Sequence, residues 1–501
     1  MEITPNRGSS DGSGTAASQG PDPGGQPPVF AFACDIPFFK ENFMKRRSFI
    51  GTAVATGIPG ALALSCGRRK PREGRRKETI TGVVETHLLP ETIAGLTIKE
   101  LRNDYHDRLF NRYLPFWEKG GIDKEHGGFM CILNDDGTVA DDEKYCWYQG
   151  RGLWVYSFLY NNFGHDKHFL DIATKARDFI VKYMKAGNGT WYERVYRDGR
   201  MKEGVGPNIY GWLFIASGLA EYYKATGNDE DFKMVLDTIW AVLRAYDNPQ
   251  YKGAVNNGGY PADMDFTGFR AQGHSMMFIW MLTQILSFKK NIKLEDLIAE
   301  HVAYVMRGFI HPYLLITNEY LQHDYSRIPG FEDYMYTGHS LETQWIVMFE
   351  AIRQGDRELF TTCVNLIRRY LTMCWDHVFE GFGDGHFYVF DGPDRTRTKL
   401  YGAKSMWSHT EILLATLHIL EYTGETWALE WYERTRAFAL KHFDTPYGVW
   451  RQAVDRFGNE VQREGVPLKR KDNFHPPRYM MYNLLALDRM IKNEGKLSTF
   501  R

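Results

Sequence analysis

The sequence predicts an all-α chain folded as an (α/α)6 barrel of six helical hairpins, and three observations carry that prediction. From about residue 98, amphipathic segments alternate with segments that are apolar nearly all round. Long loops rich in Gly, Asp and aromatic residues precede each apolar segment. Four histidines, His274, His339, His409 and His475, mark the starts of such segments at intervals of 65, 70 and 66 residues. Repeated units of this kind bury their apolar faces against one another and grow one core, which overrides the three domains that 501 residues would otherwise suggest.

The first 90 residues stand apart from that pattern. Residues 1–30 are dominated by Gly, Ser, Pro and Gln, too polar to order themselves, and 1–43 read as a disordered or mis-called extension. Met44 is a second candidate initiator. It opens Lys45-Arg46-Arg47-Ser48-Phe49-Ile50, a short small-residue apolar run and Cys66, so that 44–66 read as an export signal. The paired arginines are similar to a twin-arginine signal, and Ala63-Leu64-Ser65-Cys66 resembles a lipoprotein cleavage box with Leu displaced by one place. The expectation is an exported protein, periplasmic or anchored to a membrane by a lipid at Cys66. Residues 67–90 read as a basic linker and 91–501 as the catalytic domain.

Within that domain, residues 166–184 place Phe169, Ile172, Ala173, Ala176, Phe179, Ile180 and Tyr183 on one face, the pattern of a surface helix. The segments beginning near Gln149, Tyr210, His274, His339, His409 and His475 are apolar on every side, as a helix enclosed by others must be. Six inner helices alternating with six outer ones close most simply into a ring. The inner helices then run parallel, with their N-termini at one mouth and the loops 117–146, 185–205, 246–270, 311–336, 376–402 and 442–474 as its rim.

Composition narrows the function. Residues 78–501 carry a net charge of −7, which gives no electrostatic footprint for nucleic acid. The cysteines form no CxxC pair; Cys363 and Cys374 fall on an apolar helical face and read as core. The absence of HExxH leaves no metal expected, and no cofactor.

At the mouth, helix N-termini present unpaired N–H groups and about half a positive charge. The residues there are Tyr148 and Arg151, His274, His339 and Glu342, Lys404, Trp407, His409 and Glu411, and His475 and Arg478. Aromatic faces, hydroxyl-binding charged groups and bases together form the inventory of a carbohydrate site. Glu342 and Glu411 lie near the start of apolar helices, where a carboxylate is costly without a partner; Arg151 and Arg478 are either sugar ligands or those partners.

These segments resemble the N-acylglucosamine 2-epimerase family from about residue 100 to 492. The resemblance rests on Lys124 to Phe129, Asp136-Gly137, Lys144 to Arg151, Gly338-His339-Ser340-Leu341-Glu342 with Trp345, Trp407-Ser408-His409-Thr410-Glu411, and Phe474-His475-Pro476-Pro477-Arg478. It departs from the family pattern at Ser408 and Pro476. His274 is closer to the sugar isomerase and cellobiose epimerase branches.

The resemblance implies that His339 and His475 exchange the C2 proton of an opened aldose or N-acyl-hexosamine through a cis-enediolate. Arg151, Glu342 and Glu411 would hold the sugar and His274 would assist ring opening. Lys404, Trp407, His409 and Arg478 complete the expected binding set. The partner is then a small sugar, with a homodimer as a further expectation. The alternatives are an aldose–ketose isomerase or a glycoside hydrolase on the same barrel.

Overall fold

The computed structural model describes residues 88–500 apart from 188, 254–259, 261–263, 384, 390–402 and 462–468. The extension, the export signal with Cys66, and the linker up to residue 87 lie outside the described residues. The folded unit begins slightly earlier than residue 91: Leu88 bridges Lys496, and the buried Leu89 donates its N–H to the Gly495 carbonyl at 2.7 Å.

Twelve main helices follow among the described residues. In chain order they are α1 (Ile98–His106), α2 (Cys146–Asn162), α3 (Lys167–Phe179), α4 (Ile209–Thr226), α5 (Asp229–Tyr246), α6 (Gln272–Phe288), α7 (Ile292–Ala303), α8 (Thr337–Gln354), α9 (Arg357–Cys374), α10 (Met406–Thr423), α11 (Thr426–His442) and α12 (His475–Lys492). The even-numbered helices form the inner wall and the odd-numbered ones the outer wall. Each inner helix packs against the next, and α12 returns onto α2, where Trp154 meets Phe474 and Tyr482 at ring separations of 5.5 and 6.3 Å. The two walls close into the expected (α/α)6 barrel.

Local sequence explains why one end is tight and the other elaborate. After α4, α8 and α10 the chain reverses at Gly227, Gly355 and Gly424, with φ of +71°, +72° and +68°, values that L side chains rarely adopt. Asn228 and Asp356 follow at once, and their side chains cap the next outer helix by accepting from Glu230 N at 3.2 Å and Leu359 N at 2.9 Å. The opposite connections, from outer to inner helix, are the long ones, so all six inner N-termini open at one mouth.

The mouth is not irregular, as the loops alone suggested. The residues before α2, α6, α8 and α10 form short strands that pair with the following loop: Glu143–Tyr145 with Arg194–Tyr196, Arg270–Ala271 with Tyr320–Leu321, Tyr334–Tyr336 with His386–Tyr388, and Lys404–Ser405 with Ala453–Val454. An isolated bridge between Ile132 and Arg470 joins the first of these loops to the last. Strands of two or three residues carry too little alternation to be read from sequence.

A second repeat underlies the first. Lys144, Arg270 and Lys404, each just before an inner helix, reach back to the carboxylate opening their own loop: Asp123 at 2.8 Å, Asp247 at 3.1 Å and Asp376 at 2.5 Å. Five residues after Lys144, the Gln149 amide exchanges hydrogen bonds of 2.8 and 2.7 Å with the Phe129 backbone. Five residues after Lys404, His409 Nε2 accepts from Phe382 N at 2.9 Å. These ties fix each loop to its helix, and through it the helix start that carries the chemistry.

Candidate active site

The inner helices deliver side chains to the mouth in a common register. His274 and His339 are the third residues of α6 and α8, and His475 begins α12. One turn deeper on the same face, at i+3, stand Glu342 below His339 and Arg478 below His475; Arg151 and Glu411 stand likewise below Tyr148 and Ser408.

Two imidazoles contact one indole. The Trp407 ring lies 5.6 Å from the His339 ring and 5.6 Å from the His475 ring. It is backed by Gly338, where an added Cβ would fall 2.2 Å from the indole Cη2. Each histidine is held at Nδ1 by a carboxylate: His339 by Glu319 Oε1 at 2.9 Å, and His475 by Asp472 Oδ2 at 2.8 Å. Burial pushes the Asp472 carboxyl up, but His475 and Arg151 outweigh it and hold it well below the usual carboxylate range.

Beneath the histidines the floor is charged. Arg478 Nη2 donates to Glu342 Oε1 at 2.6 Å and to Glu411 Oε2 at 2.7 Å, and Trp345 Nε1 adds a bond of 2.8 Å to Glu411. Burial raises the Glu411 carboxyl, with Glu342 beside it pushing the same way; against its own burial, Glu342 is drawn below its ordinary value by Arg478 and the two histidines. Arg478 is therefore the carboxylates' partner. Single ligand atoms of Glu342, Glu411 and His475 come within 4.8 Å of one another, a spacing suited to a cation, but the Arg478 guanidinium already bridges the two carboxylates.

Arg151 is different. Its guanidinium lies over Phe214 at 4.2 Å and over Trp147 and Phe474 at 4.9 Å each, and its buried Nε has no hydrogen-bond partner among the described residues. A cation stacked on aromatic faces, with no described residue accepting from its buried Nε, has a donor to offer a ligand. His274 lies between Tyr210 and Tyr246, at 6.3 and 5.9 Å, with a buried Nδ1 that likewise lacks a partner among the described residues. Burial takes it down to about 4, so it is neutral near pH 7.

Two residues expected to bind sugar do not share the site. His409 is the fourth residue of α10, one place past the position that His274 and His339 occupy, and that step turns its side chain by about 100° around the helix. Its Nδ1 donates to Ser405 O at 2.7 Å, its Nε2 accepts from Phe382 N, and its ring stacks on Phe438 of the outer helix α11 at 5.0 Å. Both nitrogens are consumed by backbone. Lys404 is fully buried in its ion pair with Asp376, the structural counterpart of Lys144 with Asp123.

Glu319 and Asp472 were missed by sequence reasoning. Asp472 had a readable signal, since an Asp two or three places before a helix start can accept the N–H groups of the residues that follow it. Glu319 had none, because it lies in an aperiodic loop 20 residues before its partner.

Known proteins resemble this chain over most of its length. The family model described as N-acylglucosamine 2-epimerase (GlcNAc 2-epimerase) matches residues 127–476. The N-acylglucosamine 2-epimerase of Mus musculus is 26% identical over 390 residues, covering 74% of this chain and 88% of its own. The cellobiose 2-epimerase of Bacteroides fragilis is 21% identical over 371 residues, covering 70% and 90%. Among solved structures, cellobiose 2-epimerase from Bacillus thermoamylovorans superposes with a TM-score of 0.64 at 18% identity, covering 77% of this chain and 99% of its own.

Proposed function

The chain belongs to the N-acylglucosamine 2-epimerase family, and from that premise we propose that it inverts C2 of an opened aldose or N-acyl-hexosamine by proton exchange between His339 and His475. The observation that carries this reading is a pair of imidazoles that both lie 5.6 Å from the Trp407 ring, each bound at Nδ1 by its own carboxylate.

One imidazole removes the proton alpha to the open-chain carbonyl, forming a cis-enediolate, and the other returns a proton to the opposite face. The charge that develops on the enediolate oxygens needs a preorganised donor, and Arg151, whose buried Nε no described residue engages, supplies it together with the N–H groups of the helix starts. Neutral His274 is suited to pass a proton during ring opening.

Of the alternatives, the hydrolase would need Glu342 and Glu411 to flank a glycosidic bond, yet both bind one buried Arg478 nitrogen. The isomerase differs only in delivering the proton to C1. Incubating N-acetylglucosamine, glucose, mannose and cellobiose with the protein in heavy water, followed by NMR, tests the reading. Deuterium at C2 with appearance of the C2 epimer supports it; a ketose identifies the isomerase, and a new reducing end from cellobiose identifies the hydrolase.

Location is a separate proposal. The Lys45-Arg46-Arg47 start, the apolar run and Cys66 support export with a lipid on Cys66. Among the described residues no helix is long and apolar enough to cross a membrane. Incorporation of labelled palmitate that is lost in Cys66→Ala tests the anchor, and sedimentation equilibrium tests the proposed homodimer.

A further inference from the structure

We infer that Glu319 and Asp472 are positioning residues for this reaction, each holding its imidazole as the tautomer protonated on Nδ1 so that Nε2 meets the sugar; the inference rests on the epimerase reading. Asp472 is built into the start of α12. Its Oδ1 accepts the N–H of Phe474 at 2.8 Å and of His475 at 2.9 Å, which leaves Oδ2 aimed at His475 Nδ1 at 2.8 Å. An ionised carboxylate carries no hydrogen and only accepts, so Nδ1 must donate to Oδ2.

Glu319 reaches the same result through a longer chain. Thr343 Oγ1 donates to Gln272 Oε1 at 2.7 Å, which turns the Gln272 amide so that its Nε2 donates to Glu319 Oε2 at 3.0 Å. Glu319 Oε1 then faces His339 Nδ1 at 2.9 Å as an acceptor. The chain runs from α8 to α6, to the 310–336 loop and back to α8, so the His339 tautomer is set by groups from three elements. Either carboxylate also stabilises the imidazolium that forms when its histidine takes the C2 proton.

The test combines kinetics with a direct reading of the tautomer. Asp472→Ser keeps an oxygen able to accept from the N–H groups of Phe474 and His475, and Glu319→Gln keeps shape, so both should fold with thermal midpoints near that of the parent protein. Each is expected to lower kcat by roughly 10³- to 10⁴-fold with little change in KM. Glu319→Asp, which retains the charge, should recover part of the loss.

In protein labelled with ¹⁵N-histidine, the parent should show Nδ1-protonated rings for His339 and His475. The Asp472→Ser variant should change the ring signals of His475 alone, and Glu319→Gln those of His339 alone. Unchanged kcat and unchanged ring signals in an active protein overturn the inference and leave the epimerase reading standing. Absence of any C2 exchange in the parent protein defeats the epimerase reading instead, and the ring signals still report the tautomers.

Discussion

Arg478 Nη2 lies 2.6 Å from Glu342 and 2.7 Å from Glu411, a single nitrogen shared by carboxylates from two neighbouring inner helices. Its Nε and Nη1 are buried without hydrogen-bond partners among the described residues, and the guanidinium rests on Phe474 at 4.4 Å and Trp345 at 5.1 Å. Removing this cation leaves two buried carboxylates facing each other. Arg478→Met is therefore expected to destabilise the fold by about 3–5 kcal/mol. Glu411→Gln, acting on a carboxyl already raised by burial, should cost clearly less. Urea denaturation of the two variants checks the order, and equal losses would contradict it.

Gly338 touches the indole that both imidazoles contact. Because an added Cβ would fall 2.2 Å from Trp407 Cη2 and 2.7 Å from Cζ2, Gly338→Ala must displace the ring or the helix start. The expected result is a loss of about 1–3 kcal/mol from overpacking, accompanied by a fall in kcat. Thermal unfolding and turnover measured on the same preparation test it; a variant with native kcat would show that Trp407 does not set the spacing of the pair.

His409 separates register from residue type. Gln149 occupies the equivalent place in the first hairpin and makes the same kind of backbone tie, so His409→Gln should fold and retain turnover close to that of the parent protein. His339→Asn or His475→Asn should instead cost at least about 10²-fold. Equal losses in all three would return His409 to the site.

Acid should weaken the fold through its buried imidazoles. Burial takes His274 and His418 to about 4, and His301 and His409 to about 3. A histidine whose folded value lies below its unfolded value of about 6.5 binds more protons when unfolded, so its contribution is complete above pH 6.5 and is lost as pH falls toward 3–4. Each can remove up to about 1.4 kcal/mol per pH unit across that window. Thermal midpoints measured from pH 7.5 to 5 should fall, and more gently in His409→Gln; identical slopes would exclude His409 as a contributor.

The barrel was legible because its two signals are strong and local: amphipathic outer helices such as 166–184, and inner segments such as Met276 to Leu282 that are apolar on every side. The places of His339, Glu342, His475 and Arg478 in the first turns of inner helices were legible for the same reason. The misplacement of His409 has a simple physical cause. Intervals of 65, 70 and 66 residues appear regular, but loops of unequal length hide a one-residue offset in the helix start, and one residue on a helix changes the face. Lys404 looked like a ligand because its partner Asp376 lies 28 residues away. Glu319 and the short strands of the rim depend on contacts between loops, which no periodicity records.

The central claim is that His339 and His475 act on opposite faces of one carbon, and the half-reactions of the single variants test it most directly. With the two C2 epimers of the best substrate supplied separately in heavy water, His339→Asn should exchange the C2 hydrogen of one epimer only, and His475→Asn that of the other only, while neither interconverts them at an appreciable rate. If either variant still interconverts both epimers near the parent rate, or both variants spare the same epimer, the two-imidazole arrangement is wrong.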